Sequence, residues 1–182
     1  MVAPLKAIHA LAQHQKYIHI LDVGGGFGDN FYLLQHYIND TDCTLHYDVV
    51  DNARELAFGA EFLPKSRHQV GFYESVPDKT YDLILIIGTI QYIDPWADFV
   101  DFVSGLKGRS IFISRSPLRR EGGSFVTVQS ICPAFGSSAS RKIGESNVTV
   151  IDEHELDERF LQNGYVLNTC NYSGSRAVSS RA

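Results

Sequence analysis

"HILDVGGGFGDNFYLL", residues 19–34, decides the fold. An apolar run with a β-branched share, "YIHILDV" (17–23), has the length and composition of a strand. It ends in Asp22 and Val23, and four glycines then crowd into residues 24–28. The following "NFYLLQHYI" (30–38) places Phe31, Leu34 and Ile38 on one helical face. Strand, bare turn, helix is the start of an open α/β sheet, in which ligands bind outside the carboxyl ends of the strands. Glycines at that place let backbone turn tightly and let a ligand pack directly on peptide groups.

The same alternation continues outward. "TLHYDVVD" (44–51) reads as a strand ending in acid, and "NARELAFGAEFL" (52–63) as a helix capped by Asn52 with Glu55 as its capping-box partner. "HQVGFYE" (68–74) is strand-like. "YDLILIIG" (81–88) is apolar on both faces, as a central parallel strand must be. "DPWADFVDFVSGLKG" (94–108) predicts a helix with Asp94 as cap, Pro95 at its first position, a buried stripe of Trp96, Phe99, Val100, Val103 and Leu106, and Gly108 as stop. "RSIFIS" (109–114) is a further strand. "DEHELDERFLQNG" (152–164) is a helix with Asp152 as cap, Glu155 as box partner and Gly164 as stop, and "YVLNTCNY" (165–172) is the last clear strand. This rhythm implies a Rossmann-like, doubly wound, mostly parallel sheet in a single domain spanning 1–182. Residues 116–151 break it: "EGG", "GSSAS" and "GES" surround a strand-like "SFVTVQSI" (124–131). A connection of that length is a candidate acceptor-side insertion or lid. The small, polar tail 173–182 is expected to fray.

Composition narrows the function. The chain has 182 residues, 44% of them hydrophobic and 20% charged, which is ordinary for a soluble globular protein. A net charge of -5 argues against non-specific nucleic-acid binding. No apolar run is long enough to span a bilayer, and Lys6, His9, Gln13 and His14 interrupt the N-terminal segment as no secretory signal would allow. Cys43, Cys132 and Cys170 fit neither a zinc motif nor a disulfide framework, so a cytoplasmic setting is expected. The seven histidines show no pair with metal spacing on a helix face, and no metal is expected.

Two tests discriminate among ligands for the glycine loop. The dinucleotide fingerprint G-x-G-x-x-G, begun at Gly24 and Gly26, needs glycine at 29, where Asp29 stands, and no lysine follows to make a phosphate loop. Asp29 at the helix start would also repel a pyrophosphate seated there. A ligand without phosphate and with a positive centre suits the place, and S-adenosylmethionine is one.

"LDVGGGFG" resembles the first motif of Class I S-adenosylmethionine-dependent methyltransferases, D/E-x-G-x-G-x-G. "YDVVDN" resembles the second-strand end of that family, "FYESV" the third, and "YDLILIIGTIQYIDP" the fourth strand and its loop. "GTIQYIDPW", "ISRSPL" and "VTVQSICPA" are similar to a methyltransferase family associated with bacterial surface-polysaccharide genes. The resemblance covers roughly residues 17–170 and implies an enzyme that transfers methyl from S-adenosylmethionine to an oxygen, or less readily a nitrogen, of a small molecule or glycan precursor. It implies cofactor contacts from Asp22, Gly24, Gly25, Gly26, Phe27, Gly28, Asp51, Asn52, Tyr73, Glu74, Gly88 and Thr89, with Asp51 on the ribose and Tyr73 and Glu74 at the adenine. Gln91 and Tyr92 would lie at the reacting end, and Gln91, Tyr92, Arg115 and Gln129 would face the acceptor. Arg115, Arg119 and Arg120 form a small basic cluster on the ligand side, suited to an anionic acceptor. In that family the sheet ends in an antiparallel strand. Strand-forming sequence gives out after residue 172, so this strand is expected to be short or missing. A homodimer is compatible with the sequence. Two rivals remain: a binding or scaffolding protein that keeps the fold without catalysis, and a dinucleotide oxidoreductase.

Overall fold

The computed structural model describes residues 2–61, 66–131, 144–168 and 176–180. Five strands follow the expected rhythm: β1 (Tyr17–Val23), β2 (Thr44–Val50), β3 (Gln69–Tyr73), β4 (Leu83–Ile87) and β5 (Ser110–Ser114). They pair in parallel in the order β3-β2-β1-β4-β5. The order reverses between β1 and β4, so the glycine turn leaves β1 at the topological switch point. Helices α2 (Asp29–Tyr37), α3 (Ala53–Glu61), α4 (Trp96–Gly105) and α5 (Glu153–Gln162) form the connections.

Period-two alternation within the central strands builds two apolar layers. Ile18, Ile20, Leu83 and Leu85 face one side, where Phe31 and Leu34 of α2 and Leu56 of α3 meet them. Leu21, Ile84 and Ile86 face the other, against Val100 and Val103 of α4 and Leu156 and Phe160 of α5. The polar-interrupted N-terminal segment also folds as a helix, α1 (Val2–Ala12). Its residues Leu5, Ile8 and Ala12 recur at helical spacing and close the first layer.

The sheet does not stop where strand-forming sequence gives out. After β9 (Tyr165–Asn168), residues Arg176–Ser180 form β10, which inserts antiparallel between β5 and β9. The missing or short final strand and the frayed tail are therefore corrected for residues 176–180; residues 169–175, with Cys170, lie outside the described residues. The tail holds because Val178 is buried and Ala177 packs on the core. Arg176 adds ion pairs with Glu153 (2.6 Å) and Asp157 (3.2 Å) of α5.

Three helix ends also differ from expectation. Pro95, with extended backbone, takes the N-cap position of α4, and no side chain caps that helix, Asp94 included. The same helix stops at Gly105, because Leu106 is already extended. Gly108 instead lies flat against the sheet, where a Cβ would meet Ile84 at 2.4 Å. Asn52 accepts from the amides of Arg54 and Glu55 and so caps α3, but its own N–H goes to Asp51 Oδ1 rather than to Glu55. Asp152 caps α5 as expected, through His154 and Glu155 N–H, while the Glu155 carboxylate turns to Ser124.

Residues 118–131 and 144–152 build a second, three-stranded sheet in the order β6 (Leu118–Arg119), β8 (Gly144–Asp152), β7 (Phe125–Ile131). The Gly122–Gly123 turn is pinned to the start of α5, since Gly123 N–H donates to Asp152 Oδ2. Residues 132–143, with Cys132, lie outside the described residues.

Candidate cofactor and acceptor site

The turn after β1 is fixed from both neighbouring strands. Gly24 N–H donates to Val50 O (2.8 Å) at the end of β2. A Cβ on Gly24 would lie 2.3 Å from the Thr89 side chain beyond β4, so only glycine lets the two loops close on each other. Gly26 is bare for a different reason. Its φ is 56°, and a Cβ there would meet nothing within 4 Å, so the peptide faces open space.

Two carboxylates flank this exposed backbone. Asp51 Oδ2 accepts the Gly26 N–H at 2.8 Å, and Oδ1 accepts from the Asn52 backbone and side chain at 2.7 Å. With Asn52 as the helix cap, the Asp51 carboxylate is left to brace the glycine loop. Asp22 is fully buried. Its Oδ2 accepts from Tyr47 Oη (2.6 Å) and Asn30 Nδ2 (3.1 Å), whereas Oδ1 has no partner among the described residues. Burial raises its pKa to about 6, against the pull of the Tyr47 and Asn30 hydrogen bonds. Asn30 and Tyr47 were not foreseen; each acts only through the position of Asp22.

From the ends of β1 and β2 a groove of about 550 Å³ runs down the sheet, lined by Val23, Val50, Glu74, Val76, Phe102 and Leu106 among others. Glu74 lines it and Tyr73 does not. The Tyr73 ring packs under Lys79 Nζ, 5.1 Å from the ring centre. Lys79 in turn bonds Asp48 Oδ2 at 2.8 Å, and Tyr81 Oη donates to the same oxygen at 3.0 Å. The bond to Asp48 raises the Lys79 pKa. Phe27 also lies off the groove. It is 44% exposed and packs edge-on against Phe58 of α3.

Beyond β4 the residues expected at the acceptor come together in pairs. Gly88 (φ 69°) donates its N–H to Ser114 O of β5. Thr89 Oγ1 reaches Gly24 O at 3.4 Å. Gln91, in the 3-10 turn Ile90–Tyr92, is buried; its Nε2 donates to Arg115 O at 3.4 Å and its Oε1 has no partner among the described residues. Tyr92 is half exposed and its Oη meets Gln129 Oε1 of β7 at 3.0 Å. The accessory sheet therefore touches the same turn that borders the glycine loop. Among the described residues, no three His, Cys, Asp or Glu side chains converge as a metal site.

The fold as a whole is similar to that of solved structures. A sugar N-methyltransferase, KedS8 from Streptoalloteichus sp. ATCC 53650, superposes with a TM-score of 0.62 at 14% identity, over 98% of this chain and 87% of that one. The glycopeptide N-methyltransferase MtfA, complexed with S-adenosyl-L-homocysteine, gives 0.60 at 12% identity over 98% and 87%. The N-terminal domain of EvdMO1, solved in the presence of S-adenosylhomocysteine and D-fucose, gives 0.56 at 14% over 99% and 82%. The chain has the Class I methyltransferase fold. No family model and no curated protein sequence matches it.

Proposed function

We propose that this chain binds S-adenosylmethionine at the glycine turn and transfers its methyl group to a sugar or glycan precursor. The observation that carries this reading is Gly26, an uncovered left-handed peptide whose N–H is held by Asp51; the groove begins one residue before each side of that pairing, at Val23 before the glycine turn and Val50 before Asp51. The residues fit the cofactor piece by piece. Asp22, buried beneath the turn, would act on the ligand's ammonium group through water, Asp51 suits a ribose diol, and Glu74 at the groove suits the adenine edge. A dinucleotide fits worse. The helix that would receive its phosphates starts with Asp29, and its N-cap is Gly28, which offers no side chain.

Bound S-adenosylmethionine supplies a methyl carbon already activated by its sulfonium. The protein's task is then alignment and exclusion of water. Gln91 and Tyr92, next to the Gly24–Thr89 contact, border the place where an acceptor would meet that carbon. The four side chains expected at the acceptor, Gln91, Tyr92, Arg115 and Gln129, include no carboxylate or imidazole. A free amine brings its own lone pair, whereas a hydroxyl needs a base. The fold relatives named above include N-methyltransferases of sugars and glycopeptides. An amino-sugar nitrogen therefore replaces the oxygen expected from sequence as the first acceptor to try. The link to surface-polysaccharide synthesis, and a cytoplasmic place of action, belong to this reading; no helix among the described residues is long and apolar enough to cross a membrane.

Calorimetry with S-adenosylmethionine and S-adenosylhomocysteine tests the cofactor. Gly26→Val puts a β-branched side chain at φ 56° into the space the ligand needs, and Asp51→Ala releases the loop. Each is expected to weaken binding at least about tenfold, roughly 1.4 kcal/mol. Native protein that binds neither ligand at millimolar concentration would leave the scaffold alternative standing.

A further inference from the structure

We infer that Arg115 is the acceptor-recognition residue of this site and that the acceptor carries an anionic group, a carboxylate or a phosphate, about one sugar ring from the methylated atom. This rests on the proposed methyl transfer and names its substrate class.

The backbone is the first ground. Arg115 is a non-glycine residue with φ 57°, and no other described non-glycine residue has a positive φ. Left-handed backbone is disfavoured for a side chain with a Cβ, and such outliers gather at ligand sites. Nothing local asks for an arginine here, since glycine would fit the same φ without strain. The geometry is nonetheless held in place. Gln91 Nε2 bonds the Arg115 carbonyl, and Arg115 Cβ lies 3.9 Å from where a Cβ on Gly88 would be.

Charge is the second ground. Arg115 is exposed, and no ion pair or hydrogen bond engages its guanidinium among the described residues, in a chain of net charge -5. Three other described arginines are spent on carboxylates, Arg109 on Asp82, Arg159 on Asp101, and Arg176 on Glu153 and Asp157, and Arg67 is spent on backbone carbonyls. Nearby Arg119 lies over the Phe125 ring, also without an acid partner. Arg115 and Arg119, both without acid partners among the described residues, thus follow β5 within five residues of each other. A guanidinium offers a planar fork that binds carboxylate or phosphate bidentately.

Position is the third ground. Arg115 follows β5 directly, and β5 is two strands from β1 in the sheet, about 10 Å at the usual strand spacing. The glycine turn follows β1. An anion held at Arg115 would therefore place the far side of a monosaccharide near the Gly24–Thr89 contact.

The test measures binding of three probes to the full chain saturated with S-adenosylhomocysteine: glucosamine 6-phosphate, glucuronate and uncharged glucose. Native protein is expected to bind at least one anionic sugar ten times more tightly than glucose, and which one it prefers separates phosphate from carboxylate. Arg115→Ala is expected to erase that preference, and Arg115→Lys to keep only part of it. Arg115→Gly relieves the left-handed strain, so it should lose the preference with no fall in Tm, which excludes unfolding as the cause. Equal binding of all three probes by native protein overturns the inference while leaving cofactor binding intact. So does a preference that survives in Arg115→Ala, or a loss of S-adenosylhomocysteine affinity in that variant as large as its loss of sugar affinity. Native protein that fails to bind S-adenosylhomocysteine overturns this inference and the proposed function together.

Discussion

Asp22 shows what one buried residue contributes to this site. Its pKa of about 6 exceeds the ordinary aspartate value because burial penalises the charged form. An acid whose folded pKa lies above its unfolded value, about 3.9, holds more protons when folded between those limits. Its contribution to stability is therefore greatest below about pH 4, declines as pH rises to about 6, and is level above that. Two units correspond to roughly 3 kcal/mol. Asp22→Asn has no such titration. Its Tm relative to native protein should climb from about pH 4 to about pH 6 and then level off in thermal scans; a flat difference would mean that the carboxylate stays ionised throughout. Tyr47→Phe removes the hydrogen bond that opposes the shift, and should move the slope to higher pH. At this scale the sequence was readable where chemistry is local. Asp22 and the glycines stand in one turn, and Asp51 was legible as the acid that ends the neighbouring strand-like run, although it meets Gly26 only once β1 and β2 pair. The Asp48–Lys79–Tyr81 cluster was not readable, because its members lie about thirty residues apart and meet only when β2 pairs and the 74–82 loop folds back.

Among the elements, β10 shows where the periodic signal fails. A strand is recognised by alternating apolar residues. "RAVSS" offers one large apolar side chain, Val178, buried to 2% exposure. The rest of its hold is non-local: backbone pairing with β5 and β9 on both sides, and the Arg176 guanidinium, 11% exposed, between Glu153 and Asp157. Neither can be read from a small, mostly polar tail such as "SGSRAVSSRA" (173–182). β4 is the opposite case, since five consecutive branched residues declare a strand covered on both faces. The weight placed on Arg176 is testable. Arg176→Met should lower unfolding stability in urea by about 2–4 kcal/mol, because a largely buried pair of carboxylates loses its cation. Amides of β9 and β10 should exchange with solvent faster, while those of β1 and β2 stay protected. A change below about 0.5 kcal/mol would assign the hold on β10 to Val178 and the backbone alone.

At the level of the whole molecule, the question is how the accessory sheet relates to the large one. β6, β7 and β8 pair only with one another, and the sheet is seated in the body at one end, where Ile151 of β8 and Leu118 of β6 join the core layer under α4 and α5. Toward β7 the ties are the Gly123 and Ser124 bonds to the start of α5, the packing of β8 on the Ile90–Tyr92 turn, and the Tyr92–Gln129 hydrogen bond. The sequence marked residues 116–151 as an interruption of the α/β rhythm but not as a sheet. "GESNVTVID" carries its pairing in register with "FVTVQSI", and the residues between them hold no turn signature short enough to announce a hairpin. A sheet attached in this way, over the turn that borders the glycine loop, is placed to shed and recover water around an acceptor. If it acts as a lid, its opening is local and costs less than global unfolding. Tyr92→Phe removes the hydroxyl that bonds Gln129, an exposed hydrogen bond worth about 1 kcal/mol. Hydrogen exchange of β7 amides should then quicken roughly fivefold, with β1 and β4 unchanged and S-adenosylhomocysteine affinity kept within about twofold. Adding S-adenosylhomocysteine together with a bound sugar should slow β7 exchange in native protein and slow it less in the variant. Exchange in β7 that is indifferent to both the variant and the ligands would make the sheet a fixed wall of the site, and the exclusion of water would then have to come from the acceptor itself.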